Sequence, residues 1–256
     1  MSASMPRAAP HPAVVVLAMI LMLGTVLVTA PPIEANHGGT DPVRFATFNA
    51  SLNRNSAGQA LADLSAPGNP QAAAVAEIIQ RVRPEVLLIN EFDFEPNNAL
   101  AIEFQENYLS VSHNGSQPIV YPHVFVAPSN TGIPSGMDLS NDGTIGGPNA
   151  AFGFGFFSGQ FGMAVFSQHP ILTGEIRTFQ EFLWKDMPGA LLPDNPATAA
   201  PADWYSPAEL DIFRLSSKSH WDVPIDVDGE VIHFLVSHPT PPVFDDPPAF
   251  PAGVDF

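Results

Sequence analysis

The chain contains no cysteine. Disulfides, thiol nucleophiles and zinc sites that need thiolate are therefore excluded. Cations are scarce too: nine Lys and Arg stand against 26 Asp and Glu, a formal charge of −17. Such a chain repels polyanions at long range, although net charge also serves solubility. A nucleic-acid binder neutralises several phosphates with Lys and Arg, and no basic cluster is present here. Nothing matches G-x-x-x-x-G-K-[ST], so no Lys-bearing phosphate loop is expected. Nothing matches G-x-S-x-G, which argues against the nucleophile elbow of an α/β-hydrolase. No internal repeat is visible, so a solenoid or propeller is not expected.

What is present is enough for a core: 256 residues, 45% of them hydrophobic. The N-terminus carries Arg7 and then an uncharged apolar run from Ala13 to Ala30. This fits a signal-peptide core, or a slightly short membrane anchor. Ile33-Glu34-Ala35 is a plausible cleavage tripeptide, so residues 1–35 are read as a signal peptide or N-terminal anchor and 36–42 as a linker. The expectation is a secreted or periplasmic protein that touches membrane only through this segment, if it is uncleaved. Residues 43–245 are read as the domain and 246–256 as a Pro-rich tail.

Within the domain, Val43–Phe48 reads as a strand. A helix begins at Pro70 with Asn69 as its cap. Val75, Ile78, Ile79 and Val82 follow the i, i+3, i+4, i+7 rule and are expected to face a sheet. Arg83-Pro84 ends it. Val86–Asn90 is continuously apolar up to its last residue, as a strand covered on both faces should be. A second helix is expected from about Asn98 to Leu109, and strands at 121–127 and 163–167. Residues 128–159 and 173–211 read as irregular. Residues 212–215, 221–227 and 231–237 read as β, with Asp228-Gly229 as a two-residue hairpin turn.

Two strand ends carry the chemistry. Val43–Asn49 ("VRFATFN") stops on Asn49, and Val86–Glu91 ("VLLINE") stops on Glu91. Parallel strands joined by a helix bring their C-terminal ends to one sheet edge, where open α/β folds place their sites. A Glu at the end of an apolar strand costs stability unless it is paired, solvated or metal-bound. Mg²⁺ suits it, because that ion takes oxygen ligands and retains waters that a phosphate can replace. His238 follows a third strand. Asp93 is a nearby carboxylate read as an assistant to Glu91, whereas Asn53 and Asn55 read as turn residues. His220, His233 and Lys218 are less favourable, Lys218 being read as a solvated lysine.

The pattern resembles the endonuclease/exonuclease/phosphatase family, the metal-dependent phosphoesterases related to DNase I. The resemblance rests on "FATFNAS", "LLINEFD", "GMAVFSQHPI" (Gly162–Ile171) and "HFLVSHPT" (His233–Thr240), in that order. It implies an α+β fold, the two-layer or four-layer α/β sandwich of the DNase I-like type. It implies Glu91 as the ligand of Mg²⁺ or Mn²⁺, Asn49 helping to place metal and phosphate, and His238 hydrogen-bonding the phosphate or the leaving oxygen. With the charge, it implies a small-molecule or lipid phosphoester substrate rather than nucleic acid.

The same family carries a later Gly-Asp-x-Asn motif and a terminal Ser-Asp-His. Neither occurs after His238, and the chain has no Asp-His dipeptide. The chain is therefore expected to hold an incomplete domain, truncated at its C-terminus, with an uncovered sheet face and an open edge. The alternative is a catalytically inactive or truncated scaffold that binds phosphoester or metal at a surface. Two further segments invite a reading. Asp138-Leu-Ser-Asn-Asp142-Gly143 resembles the start of a calcium loop, so a structural Ca²⁺ near Asp138 and Asp142 is considered, although Asn149 stands where a bidentate Glu belongs. The run Phe152–Gly162 could present rings to a ligand or a membrane surface, but is more readily read as a bulged strand packing its rings inward.

Overall fold

The apolar strand at the centre of the sequence is also the axis of the fold. In the computed structural model, which describes residues 42–195 and 197–239, it forms β2 (Val86–Asn90), buried until its last residue. β1 (Phe45–Asn49) lies parallel to it on one side. On the other, β4 (Met163–Ser167) pairs antiparallel, followed by β3 (His123–Val126). The order β1-β2-β4-β3 makes one mixed sheet.

The parallel pair requires a crossover. It is made by α1 (Gln59–Leu64) and α2 (Pro70–Val82). The α2 start is as expected: Asn69 Oδ1 accepts from the Gln71 and Ala72 N–H groups, each at 3.1 Å, and Pro70 takes the first turn. Such a cap stabilises by about 1 kcal/mol. The buried stripe differs from the expected one. Ile78 and Val82 are 48% and 44% exposed, while Ala72, Val75, Ala76 and Ile79 face the sheet. Val75 and Ile79 are buried as expected, and Ala72 and Ala76 complete the buried stripe in place of Ile78 and Val82. The expected helix 98–109 divides into a 3₁₀ turn (Pro96–Asn98), α3 (Ala99–Phe104) and a π-type turn (Gln105–Leu109).

A second, antiparallel sheet has the order β5-β6-β7, with β5 (Arg177–Thr178), β6 (His220–Val227) and β7 (Glu230–Ser237). Asp228 and Gly229 both have positive φ, 54° and 90°, as a primed hairpin turn demands. Residues 212–215 are not a strand; Arg214 makes one isolated bridge with Leu183. Inside the stretch read as loop, α4 (Pro207–Leu210) forms behind a capping box between Ser206 and Glu209.

Period-two alternation decides the layers. Leu87, Ile89 and Phe166 point to the helices and meet Ala76, Ile79 and Phe104. Val86, Leu88, Met163 and Val165 point the other way and meet Trp221, Val223 and Ile225 of the second sheet. The described residues thus form helices on sheet on sheet, an α+β sandwich of three layers. The outer face of β7 is open: Leu235 is 75% exposed. No helix among the described residues is long and apolar enough to cross a membrane. The expected signal or anchor segment and the Pro-rich tail lie outside the described residues.

Candidate active site

The mouth between the two sheets gathers the polar strand ends. Parallel pairing sets Asn49 beside Asn90, and Glu91 follows at once. Asn49 lies on the same face as Phe45, the face turned toward the second sheet. Strict alternation would send Glu91 away from Asn90's side. Instead Glu91 has φ 58°, a left-handed conformation that costs a non-glycine residue roughly 1–2 kcal/mol. Strain of this kind is characteristic of functional positions. Its result is a 2.8 Å hydrogen bond from Asn49 Nδ2 to Glu91 Oε1. The Ser51 N–H donates to Asn49 Oδ1 at 3.2 Å, which fixes the orientation of the amide. Asn49 therefore holds Glu91 in place rather than merely standing near it.

The second sheet brings its own end to this mouth. His220 pairs with Ser237, so Lys218, just before β6, and His238, just after β7, arrive together. The charges of Glu91 and Lys218 act on His238, and that of Glu91 acts on Lys218. Burial, aided by the Lys218 charge, pulls the His238 imidazole down to about 4, so it is neutral near pH 7. Its Nδ1 is buried with no hydrogen-bond partner among the described residues. Lys218 is only 9% exposed, and burial draws its ammonium below the ordinary lysine range while Glu91 opposes the shift. It is not the solvated lysine expected. A residue in an irregular run between serines gives no periodicity from which burial could be read.

Asp93 supports the rim. It is 2% exposed, and one oxygen accepts the Arg54 N–H at 2.8 Å while the other accepts the Phe161 N–H at 3.1 Å. It thereby ties the loop after β1 to the segment before β4. Burial pushes its carboxyl up to about 6, against the pull of those two bonds. His233 lies outside the mouth: its Nδ1 is 2.8 Å from Asp222, which also takes Arg177 at 2.6 Å.

These donors suit a hard cation that keeps part of its water. Glu91 offers a carboxylate, and Asn90 Oδ1 is buried without a partner among the described residues. Among those residues no group of three or more His, Asp or Glu forms a closed cage. Mg²⁺ uses one or two carboxylates with water and substrate phosphate, so the set fits it. The calcium-loop reading of Asp138 and Asp142 gains no support from the local geometry. Asp138 accepts from the Asp142 and Gly143 N–H groups at 3.2 and 2.7 Å, and Asp142 accepts from the Thr144 N–H at 2.8 Å. Their oxygens serve turn backbone. The run Phe152–Gly162 is not an inward-packed strand either. Phe154 and Phe156 are exposed and touch edge to face, with centroids 5.5 Å apart.

Comparison with known proteins identifies the family. A family model described as the endonuclease/exonuclease/phosphatase family matches residues 46–252. Solved structures similar to the chain include two endonuclease/exonuclease/phosphatase proteins. One is an endonuclease/exonuclease/phosphatase family protein from Leptotrichia buccalis C-1013-b, 14% identical, with 80% of this chain and 57% of that one covered and a TM-score of 0.36. The other is an endonuclease/exonuclease/phosphatase from Beutenbergia cavernae DSM 12333, 19% identical, with 75% and 37% covered and a TM-score of 0.33. The chain thus spans about half the length of these structures or less. No curated protein matches it. On the family match over most of its length, the chain belongs to the endonuclease/exonuclease/phosphatase family, whose members are in general hydrolytic enzymes that use a divalent metal.

Proposed function

We propose that this chain is a divalent-metal-dependent phosphoesterase that hydrolyses a small-molecule or lipid phosphomonoester or phosphodiester by water attack. The observation that carries the reading is the Asn49–Glu91 hydrogen bond at a strained strand end, in a mouth shared with Lys218 and His238. Glu91 would hold Mg²⁺ or Mn²⁺, with Asn90 Oδ1 as a further oxygen donor and Asn49 orienting the carboxylate. The ion, when bound, supplies charge stabilisation to the phosphate oxygens. Lys218 places a cation against phosphate in a low-dielectric setting, where it acts more strongly than in water. His238, neutral at pH 7, hydrogen-bonds a phosphate oxygen or water. Nucleic acid is the less favoured substrate, given the charge of −17. The apolar run Ala13–Ala30 supports export as the route by which the protein meets such a substrate.

Glu91→Gln keeps the shape and removes the charge. It is expected to lower metal-dependent phosphoester hydrolysis by about 100-fold or more while leaving the unfolding temperature near that of the wild type. Undiminished hydrolysis in this variant sinks the assignment. A second reading, a phosphoester- and metal-binding surface protein without turnover, draws on the same residues, since Glu91, Lys218 and His238 can bind metal and phosphate without activating water. Calorimetry separates the two, since binding of a phosphoester with Mg²⁺ and no product formation supports this reading over the first.

A further inference from the structure

We propose that Asn130 is a positioning residue for Lys218: it fixes the segment 214–218 so that the Lys218 ammonium meets phosphate beside Glu91 and His238. The inference rests on the phosphate-binding reading of the mouth given above.

Asn130 is fully buried in a region without regular structure. Its side-chain nitrogen donates to the Ser216 and Gln180 carbonyls, both at 2.7 Å. Its side-chain oxygen accepts from Arg214 Nη1 at 2.6 Å, and its own N–H donates to the Lys218 carbonyl at 2.7 Å. One residue thus engages positions 214, 216 and 218 in turn. That segment lies just before β6, and Asn130 gives its backbone the bonds that a neighbouring strand would otherwise supply.

Two neighbours hold the same segment from other sides. The Arg214 guanidinium sits over the Phe152 ring, 4.1 Å from its centroid. Gly153 packs so closely that a Cβ there would lie 1.9 Å from the Ser217 carbonyl oxygen. Such an arrangement is costly to build, because every buried polar group in it must be satisfied. A purely structural tie needs no cation at its end. Here it ends on one of only two lysines in a chain of charge −17, and that lysine is buried beside Glu91. Holding its backbone removes part of the conformational freedom that a free lysine would lose on binding phosphate.

The test titrates inorganic phosphate, with Mg²⁺ present, into the full chain by calorimetry, and Mg²⁺ alone separately. Lys218→Met is expected to weaken phosphate binding about tenfold, the loss of one hydrogen bond between charged groups. Asn130→Ala is expected to weaken phosphate by a similar factor and to leave Mg²⁺ affinity at the wild-type value. The double variant is expected to bind no worse than Lys218→Met alone, because both changes remove one interaction. If phosphate affinity falls in Lys218→Met but not in Asn130→Ala, or if the two losses add, the positioning role is overturned while the phosphate-site reading stands. If Lys218→Met binds phosphate like the wild type, Lys218 is not a phosphate contact, and the proposal falls with that part of the reading. Should Asn130→Ala fail to fold, Arg214→Met removes the partner of the Asn130 oxygen; a severalfold loss of phosphate affinity supports the role, and none overturns it.

Discussion

Glu91 depends on Asn49. The 2.8 Å bond between them ties the carboxylate to a strand end, and groups that orient a metal ligand in this way are typically worth 10–100-fold in metal affinity. Asn49→Ala is expected to weaken Mg²⁺ binding by about that factor with little change in the unfolding midpoint; unchanged Mg²⁺ affinity would show that Glu91 holds its place unaided. Away from the mouth, Arg177 and then His233 hold the Asp222 carboxyl below its ordinary range. A depressed folded-state value contributes stability above the unfolded value and loses it as pH falls through the folded one. Asp222→Asn is therefore expected to be less stable than the wild type at pH 7, and the gap should close as pH drops below about 4. Thermal unfolding at several pH values reads this; a gap independent of pH would contradict it. At this scale the sequence was legible where a polar residue closed an apolar strand, as at Asn49, Glu91 and His238. It was opaque at Lys218 and Asn130, whose burial comes from contacts far along the chain.

Secondary elements were readable where local chemistry is strong. Asn69-Pro70 and Asp228-Gly229 each dictate a backbone conformation through their own side chains or φ, and both sit where expected. Half of the α2 face was legible: Val75 and Ile79 are buried as expected, but alanine carries little hydrophobic weight, so the pattern does not reveal that Ala72 and Ala76 share the inner face in place of Ile78 and Val82. Residues 212–215 have β-like composition but find only an isolated bridge. Irregular segments here depend on close approach instead. Gly153 allows the chain to pass against Ser217, so Gly153→Ala forces a shift in backbone, and overpacking of this kind typically costs about 1–3 kcal/mol. At roughly 2–4 °C per kcal/mol for a chain of this size, the unfolding midpoint should fall by several degrees; a midpoint equal to the wild type would contradict the packing.

For the whole molecule, the proposed preference against nucleic acid rests on charge, and the proposed site on the meeting of the two sheets. With −17, approach of an oligonucleotide is opposed at low ionic strength and less so when salt screens the field, the Debye length falling from about 30 Å at 0.01 M to about 8 Å at 0.15 M. Any turnover of a single-stranded oligonucleotide should accordingly rise with salt over that interval, and a fall would contradict the repulsion by pointing to a basic contact path. The sandwich itself follows from alternation in β2 and β4, whose two faces serve two cores. Its mouth joins Asn49 and Glu91 of one sheet to Lys218 and His238 at the end of the other, a meeting that no local pattern announces.

In the proposed function, Glu91 is the metal-holding carboxylate of this mouth. Calorimetric titration of Mg²⁺ into the wild type and into Glu91→Gln tests it most directly. Saturable binding by the wild type and its loss in the variant, at an unaltered unfolding temperature, are expected. Equal binding by both proteins would contradict that role for Glu91.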